Sequence, residues 1–136
     1  MQELPSNGVM YRVMSDYKSI QEFIKNEPRI NIAAYNGLKQ TVLSGAQLAV
    51  ENVIKSLSEN GILSIQLKVS HAFHSELMKP AAELFYKIVE KVKFNVPKLP
   101  IGSTVTGKIV GNEMLSPNYW SEQILQSVKF QQASET

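Results

Sequence analysis

The sequence predicts an α+β fold that begins with a ferredoxin-like βαββαβ unit over about residues 8–70. Three features carry this prediction. Short segments alternate apolar and polar residues with the period of two that is typical of half-buried strands. Longer segments between them repeat apolar residues every three to four positions, as amphipathic helices do. Asparagine–glycine pairs and prolines separate the segments, as expected at turns and helix ends.

The first two predicted elements are a strand and a helix. In GVMYRVM, Val9, Tyr11 and Val13 share one face, which is the pattern of a strand. The segment YKSIQEFIK places its apolar residues on one helical face. These residues are Ile20, Phe23 and Ile24. Pro28 ends the pattern, because proline cannot continue a helix.

A hairpin, a helix and a fourth strand complete the unit. RINIAAYN and QTVLSG read as strands joined at Asn36-Gly37, with a loop that can extend through Lys39. The next helix is predicted to end at Asn60-Gly61. Its apolar face comprises Ala46, Ala49, Val50, Val53, Ile54 and Leu57. ILSIQLKV then alternates strictly, which predicts a strand. Its apolar face comprises Leu63, Ile65, Leu67 and Val69.

The second half has a different character. A long apolar helical stripe follows the histidine-containing turn, and Pro80 begins or kinks that helix. FNVPKLPIGSTVTGKIVGNE predicts short strand-like pieces, and SPNYWSEQILQ predicts a final helix capped by Ser116. We expect Trp120 to anchor this helix. Met10, Leu67 and Leu84 are expected in the core.

Composition excludes several classes of function. The formal charge is +2 and the lysines are scattered, so we expect no nucleic-acid partner. We also expect no membrane association, since no apolar run approaches the ~18 residues of a membrane span. The chain has no cysteine, which excludes thiolate chemistry and favours a cytoplasmic location. It contains no G-x-S-x-G, Walker or G-x-G-x-x-G motif.

Both histidines of the chain, His71 and His74, lie within VSHAFHSELM. A metal site would need a third or fourth ligand from Asp16 or a glutamate, and the spacing points to neither; we therefore expect no metal. A structural role in a turn is the simplest interpretation. A catalytic role is the alternative, because an imidazole titrates near neutrality and can accept a proton from a hydroxyl nucleophile.

Several segments together resemble one family. VSHAFHSELMKPAAELF resembles the histidine-bearing segment of malonyl-CoA:acyl-carrier-protein acyltransferase domains of modular polyketide synthases, which are related to fatty-acid synthase transacylases. MQELPSNGVMYRV resembles the stretch after that family's carboxylate-binding arginine, and INIAAYNGLKQTVLSG its strand–turn–strand. GSTVTGKIVGNEMLSPNYWSEQILQSVKF resembles its return into the main fold. The resemblance covers essentially the whole chain in the expected order.

The resemblance implies roles for individual residues. His74 matches the base that activates the family's nucleophilic serine, which carries the acyl group from coenzyme A to the phosphopantetheine thiol of an acyl carrier protein. His71 and Phe73 match selectivity positions, because HAFH accompanies malonyl and Tyr-Ala-Ser-His accompanies methylmalonyl. Asn36 matches a turn near the cleft and is a candidate pocket residue. The resemblance implies malonyl-CoA as substrate and no cofactor bound by this chain.

The resemblance also implies what lies elsewhere. The family's serine elbow, arginine and oxyanion-hole glutamine precede the stretch that matches Met1. We therefore expect residues 1–136 to be part of one acyltransferase domain, with 8–70 as the ferredoxin-like core and 71–136 returning to an absent α/β-hydrolase-like core. We expect the carbonyl that orients His74 to come from outside the chain, and the chain alone to be inactive.

Two other interpretations stay open at this point. The chain can be a non-catalytic ferredoxin-like module that docks a carrier protein or a complementary chain. It can also be a structural fragment without an independent role. In that case an apolar strip would lack its partner. This strip comprises Leu115, Trp120, Ile124 and Phe130.

Overall fold

A computed structural model describes residues 7–136, so the opening MQELPS of the resemblance lies outside the described residues. The predicted order βαββαβ is observed within a mixed α/β fold. The strands and helices are β1 (Gly8–Val13), α1 (Tyr17–Ile24), β2 (Ile30–Gly37), β3 (Gln40–Ala46), α2 (Gln47–Glu59), β4 (Ser64–Gln66), α3 (Lys79–Val89), α4 (Pro117–Leu125) and α5 (Phe130–Ser134). Short 3-10 helices precede α3 and α4 at Glu76–Met78 and Asn112–Leu115.

The four strands form one antiparallel sheet in the order β2-β3-β1-β4. β1 and β3 lie at its centre and pair along their full length, from Gly8 opposite Ala46 to Val13 opposite Thr41. A β-branched or aromatic residue occupies many of these central positions, which suits the pleated surface. β2 forms one edge, and its outer side is available to later parts of the chain.

The two helices of the βαββαβ unit cover one face of this sheet. Val13, Ile20, Leu43, Val50 and Leu57 are fully buried between α1, α2 and the strands. The predicted apolar faces of both helices are confirmed, because these residues recur on the side that meets the sheet. This layer forms from residues that are close in sequence, so local periodicity was sufficient to predict it.

The second half of the chain covers part of the opposite face. Met10, Ala34 and Val42 are buried there, and Phe73 and Val128 pack against them. The core position predicted for Met10 is confirmed, and Leu67 packs against the same cluster. This face matters for function because the histidine turn lies on it.

Two of the expected burial patterns are wrong. Leu63 and Ile65 are 74% and 50% exposed, although they share the face of β4 expected in the core. The reason is that β4 is an edge strand that pairs with β1 over only three residues, so its side chains have strand neighbours on one side only. Leu84 is 63% exposed, because α3 turns Ala81 and Ala82 toward the protein instead.

The turn and loop predictions also change in detail. Asn36 and Gly37 belong to β2, and the hairpin turn is at Leu38-Lys39, because Gly37 still pairs with Gln40. Register shifts within β2 absorb the extra residues. In the described residues between α3 and α4, the predicted strand-like pieces reduce to one isolated bridge, Gly102 with Ile109.

Helices α3 and α4 pack against each other. The Ser121 hydroxyl donates a hydrogen bond to the Ala82 carbonyl at 3.0 Å, which joins the two helices. Ser116 caps α4, since its side chain accepts from the Asn118 amide, and Pro117 occupies the first turn as predicted. Within the described chain, no helix has the length and apolarity needed to cross a membrane.

Candidate active site

The histidine turn follows β4 and leads into the 3-10 helix at Glu76–Met78. Ser75 caps that helix, because its hydroxyl accepts from the Leu77 amide at 3.3 Å. His74 lies just before the cap with a φ of +55°, a left-handed conformation that non-glycine residues adopt rarely. Such a conformation is often maintained at functional sites, where surrounding contacts hold it. The turn is held against β1, since a side chain at Gly8 would meet the Ala72 Cβ at 2.5 Å.

The ring of His74 is oriented by the end of α4. Its Nδ1 lies 3.0 Å from the carbonyl oxygen of Gln126, the residue that caps the C-terminus of that helix. A carbonyl accepts only, so Nδ1 is the protonated nitrogen and donates. The expectation that the orienting carbonyl lies outside the chain is therefore wrong: α4, 52 residues later, supplies it.

This bond leaves Nε2 of neutral His74 as a proton acceptor. Burial holds the pKa of His74 below its ordinary value of about 6.5, while hydrogen bonds to the backbone of Gln126 and Gln123 act in the opposite direction. The imidazole is consequently neutral at pH 7. A neutral ring with its Nδ1–H engaged is the form that a general base requires.

A cavity of about 240 Å³ opens beside this ring. Its wall is mostly aromatic and aliphatic, and His74 is its titratable group. The lining residues are Phe73, His74, Phe85, Trp120, Gln123 and Ile124. None of these six is a serine, so the cavity itself presents a base without a hydroxyl nucleophile.

Phe73 and His71 occupy different environments. Phe73 is half-buried, with one side against the Met10 cluster and the other in the cavity wall. His71 is only 4% exposed, and its Nδ1 lies 2.9 Å from the Ser70 hydroxyl. The two rings are in contact, with centroids 6.0 Å apart and planes tilted by 54°. His71 thus contacts the ring of Phe73 and is not among the residues that line the cavity.

The structure does not bring Asn36 to this cavity. Asn36 is exposed near the end of β2, and its role in a pocket stays a prediction. Among residues 7–136, no group of three potential ligands that could hold a metal ion is found.

Several residues around the cavity were not singled out for function by their sequence pattern. Trp120 was predicted as an anchor, and it does stack on Phe94 with ring centroids 5.5 Å apart while its Nε1 donates to the Met114 carbonyl. It nevertheless also lines the cavity. Gln126 acts through its backbone, which leaves no signature in the sequence. Phe85 belongs to the predicted apolar stripe of α3. That stripe was the one sequence feature that could have indicated a place in the cavity wall.

Comparison with known proteins decides the family. A profile described as "Acyl transferase domain" matches residues 1–136. The chain belongs to the acyl transferase domain family. Within this family it is 38% identical over 130 residues to the mycoketide-CoA synthase of Mycobacterium tuberculosis, a match that covers 96% of the chain and 3% of that protein. It is 33% identical to a polyketide synthase of Streptomyces halstedii, over 98% of the chain and 2% of that protein.

Solved acyltransferase structures share the fold. The acyltransferase domain from the second module of the salinomycin polyketide synthase aligns with a TM-score of 0.90 and 34% identity, over 96% of the chain and 31% of that structure. A malonyl CoA-acyl carrier protein transacylase from Clostridium perfringens aligns with a TM-score of 0.91 and 28% identity, over 99% of the chain and 45% of that structure. The sequence resemblance to acyltransferase domains is thereby confirmed.

The chain spans a small share of these relatives: 3% and 2% of the two synthases and less than half of the two solved acyltransferases. The segment of the acyl transferase domain in this chain contains the histidine turn and the four-stranded antiparallel sheet.

Proposed function

We propose that this chain is the histidine-bearing part of an acyltransferase that moves malonyl from malonyl-CoA to the phosphopantetheine thiol of an acyl carrier protein. One observation carries the proposal: His74 is neutral, half-buried and held through Nδ1 by the Gln126 carbonyl, beside an apolar cavity. Membership of the acyl transferase domain family supports the reaction class. Solved relatives that include a malonyl transacylase support the substrate class.

The proposed chemistry uses Nε2 of His74 as general base. Nε2 takes the proton of a serine hydroxyl while the serine oxygen attacks the thioester carbonyl of malonyl-CoA. The coenzyme A thiolate leaves with that proton, and malonyl remains on the serine. His74 then takes the proton of the phosphopantetheine thiol, whose sulfur attacks the carbonyl of the acyl-serine. The bond between that carbonyl and the serine oxygen breaks, the serine oxygen regains the proton from the His74 imidazolium, and malonyl remains on the carrier thiol. The Gln126 carbonyl stabilises the imidazolium formed in each step, since it lies at the negative end of α4.

The sequence of this chain contains no G-x-S-x-G motif. The serine in this scheme therefore comes from residues outside it. We propose that an α/β-hydrolase-like core supplies it and that the carboxylate-binding arginine comes from the same core. The strand order β2-β3-β1-β4 with two helices on one face supports the ferredoxin-like description of this part. By itself the chain is then expected to form no acyl-enzyme.

We propose that Phe73 favours malonyl over methylmalonyl. Its ring lies in the cavity wall next to His74 and occupies volume that an α-methyl group of the acyl chain would need. His71 contributes by holding that ring in place. A methyl group changes binding by only ~1–3 kcal/mol, so the preference is a bias rather than an absolute barrier.

Complementation tests this function. The chain is mixed with a polypeptide that supplies a G-x-S-x-G serine, and serine malonylation is followed by intact mass after addition of malonyl-CoA. We expect malonylation in the mixture and none with His74→Gln or with the chain alone. Malonylation of the chain alone would place the nucleophile within these residues and contradict the scheme. A non-catalytic docking role and a cytoplasmic location both stay predictions, and no specific observation favours the docking role.

A further inference from the structure

The residues that follow the Gln126 carbonyl are hydrogen-bonded to β2, an edge strand of the sheet. The Ser127 hydroxyl donates a hydrogen bond to the Ile32 carbonyl of β2. Val128 continues along the same edge: its amide donates to the Ala33 carbonyl at 2.8 Å, and its carbonyl accepts from the Tyr35 amide at 2.9 Å. These hydrogen bonds attach the chain after α4 to the sheet on whose face the histidine turn lies.

The geometry of the peptide bond makes this attachment relevant to His74. The Gln126 carbonyl and the Ser127 amide belong to one planar unit, so they rotate together. One side of this unit is fixed by the Gln126 amide, which donates to the Glu122 carbonyl at 2.8 Å. The other side is fixed by Ser127. These two hydrogen bonds restrict rotation of the plane, and in the observed orientation the Gln126 carbonyl accepts from Nδ1 of His74.

We propose that Ser127 is a positioning residue for His74: by bonding to Ile32 it sets the peptide plane whose carbonyl holds the imidazole in its Nδ1–H form. The inference rests on the proposed role of His74 as base. Ser127 is two residues beyond the last residue of α4, and nothing in the sequence pattern marks it. Its side chain touches neither the cavity nor the imidazole, so it acts only through the Gln126 carbonyl.

If the role of Ser127 were purely structural, loss of its hydroxyl would affect folding and leave the state of the His74 ring unchanged. The two backbone hydrogen bonds of Val128 already hold this segment on β2, so loss of the Ser127 hydroxyl leaves the segment in place. The peptide plane between Gln126 and Ser127, however, can then rotate more freely. The effect should therefore fall on the state of the His74 ring rather than on folding alone.

Nuclear magnetic resonance of the chain labelled with nitrogen-15 histidine tests this directly. The chain has two histidines, and His74→Gln assigns the signals. We expect the parent chain to show mainly the Nδ1–H form of His74. Ser127→Ala should reduce that population and lower the pKa of His74 further, because a hydrogen bond that raises the pKa is weakened. Ser127→Thr, which keeps the hydroxyl, should restore both values.

A control variant keeps the test decisive. Val53→Ala removes apolar contact on the opposite face of the sheet and should leave both values unchanged. The inference is overturned if Ser127→Ala leaves the tautomer and pKa as in the parent, or if Val53→Ala changes them as much as Ser127→Ala does.

Activity separates this inference from the proposed function. In an acyltransferase domain that contains this segment, Ser127→Ala should lower kcat with little change in KM for malonyl-CoA and shift the acidic limb of the pH profile. If the ring of His74 responds to Ser127 but transfer does not, the positioning stands and the role of His74 as base is refuted. If neither responds, the positioning itself is refuted.

Discussion

A buried hydroxyl pair under α4 gives the sharpest stability prediction. The hydroxyls of Ser103 and Tyr119 lie 2.7 Å apart, and Ser103 is 2% exposed. The Ser103 oxygen already accepts from the amides of Val105 and Thr106, both at 3.1 Å. Because a hydroxyl oxygen has two acceptor positions and one proton, Ser103 must donate that proton to Tyr119. Tyr119 belongs to the helix whose last carbonyl orients His74.

The substitution Tyr119→Phe removes the acceptor and keeps the ring. It leaves the Ser103 proton buried without a partner, which costs about 1–3 kcal/mol of the free energy of unfolding. With a urea slope of about 2 kcal/mol per molar, the midpoint should fall by roughly 0.5–1.5 M. Ser103→Ala should cost more, because two backbone amides lose their acceptor as well.

Urea unfolding of the parent chain, both single variants and the double variant measures these effects. In the Ser103→Ala background, Tyr119→Phe should cost close to nothing, since its partner is already absent. An equal cost of Tyr119→Phe in both backgrounds would refute the hydrogen bond between the two hydroxyls. So would a midpoint for Tyr119→Phe within about 0.2 M of the parent chain.

Further predictions concern the site, the core and pH. Phe73→Ser should shift the preference toward methylmalonyl-CoA by ~1–3 kcal/mol in a competition assay, and an unchanged ratio would remove Phe73 from selectivity. Leu43→Ala should lower the free energy of unfolding by about 2–5 kcal/mol in urea, because Leu43 is fully buried. Gly45→Ala should prevent normal sheet formation, measured by circular dichroism, since a Cβ would lie 2.1 Å from the Arg29 carbonyl oxygen. Burial lowers the pKa of His74, so the unfolded chain takes up the proton first as pH falls below about 6.5. The contribution of His74 to stability is thus complete above that pH and lost as pH falls through the folded pKa, and His74→Gln should remove this component from the urea midpoints.

The sequence was sufficient where burial depends on neighbours along the chain. The faces of α1 and α2 follow from apolar periodicity, because each helix meets strands that are adjacent in sequence. It failed for β4, where alternation predicted a buried face that holds Leu63 and Ile65. Whether that face is covered depends on the position of β4 at the edge of the sheet, which periodicity does not report.

The candidate site shows the same division. His74 and Phe73 were identified by resemblance, and the structure places both on one cavity. The carbonyl of Gln126 and the anchor at Ser127 were not predicted, since every residue carries a backbone carbonyl and only the fold selects the one that meets His74. Ring orientation is a property of tertiary contacts across 52 residues, and no local pattern encodes it.

The role of His74 is tested most directly by malonyl transfer to a carrier protein, using an acyltransferase domain that contains this segment and its His74→Ala variant. A general base contributes about 10²–10⁴-fold to the rate, so the variant should lose at least that much of kcat while its urea midpoint stays close to that of the parent. Retention of transfer within a few-fold of the parent would contradict the assignment of His74 as the base, and the histidine turn would then be structural.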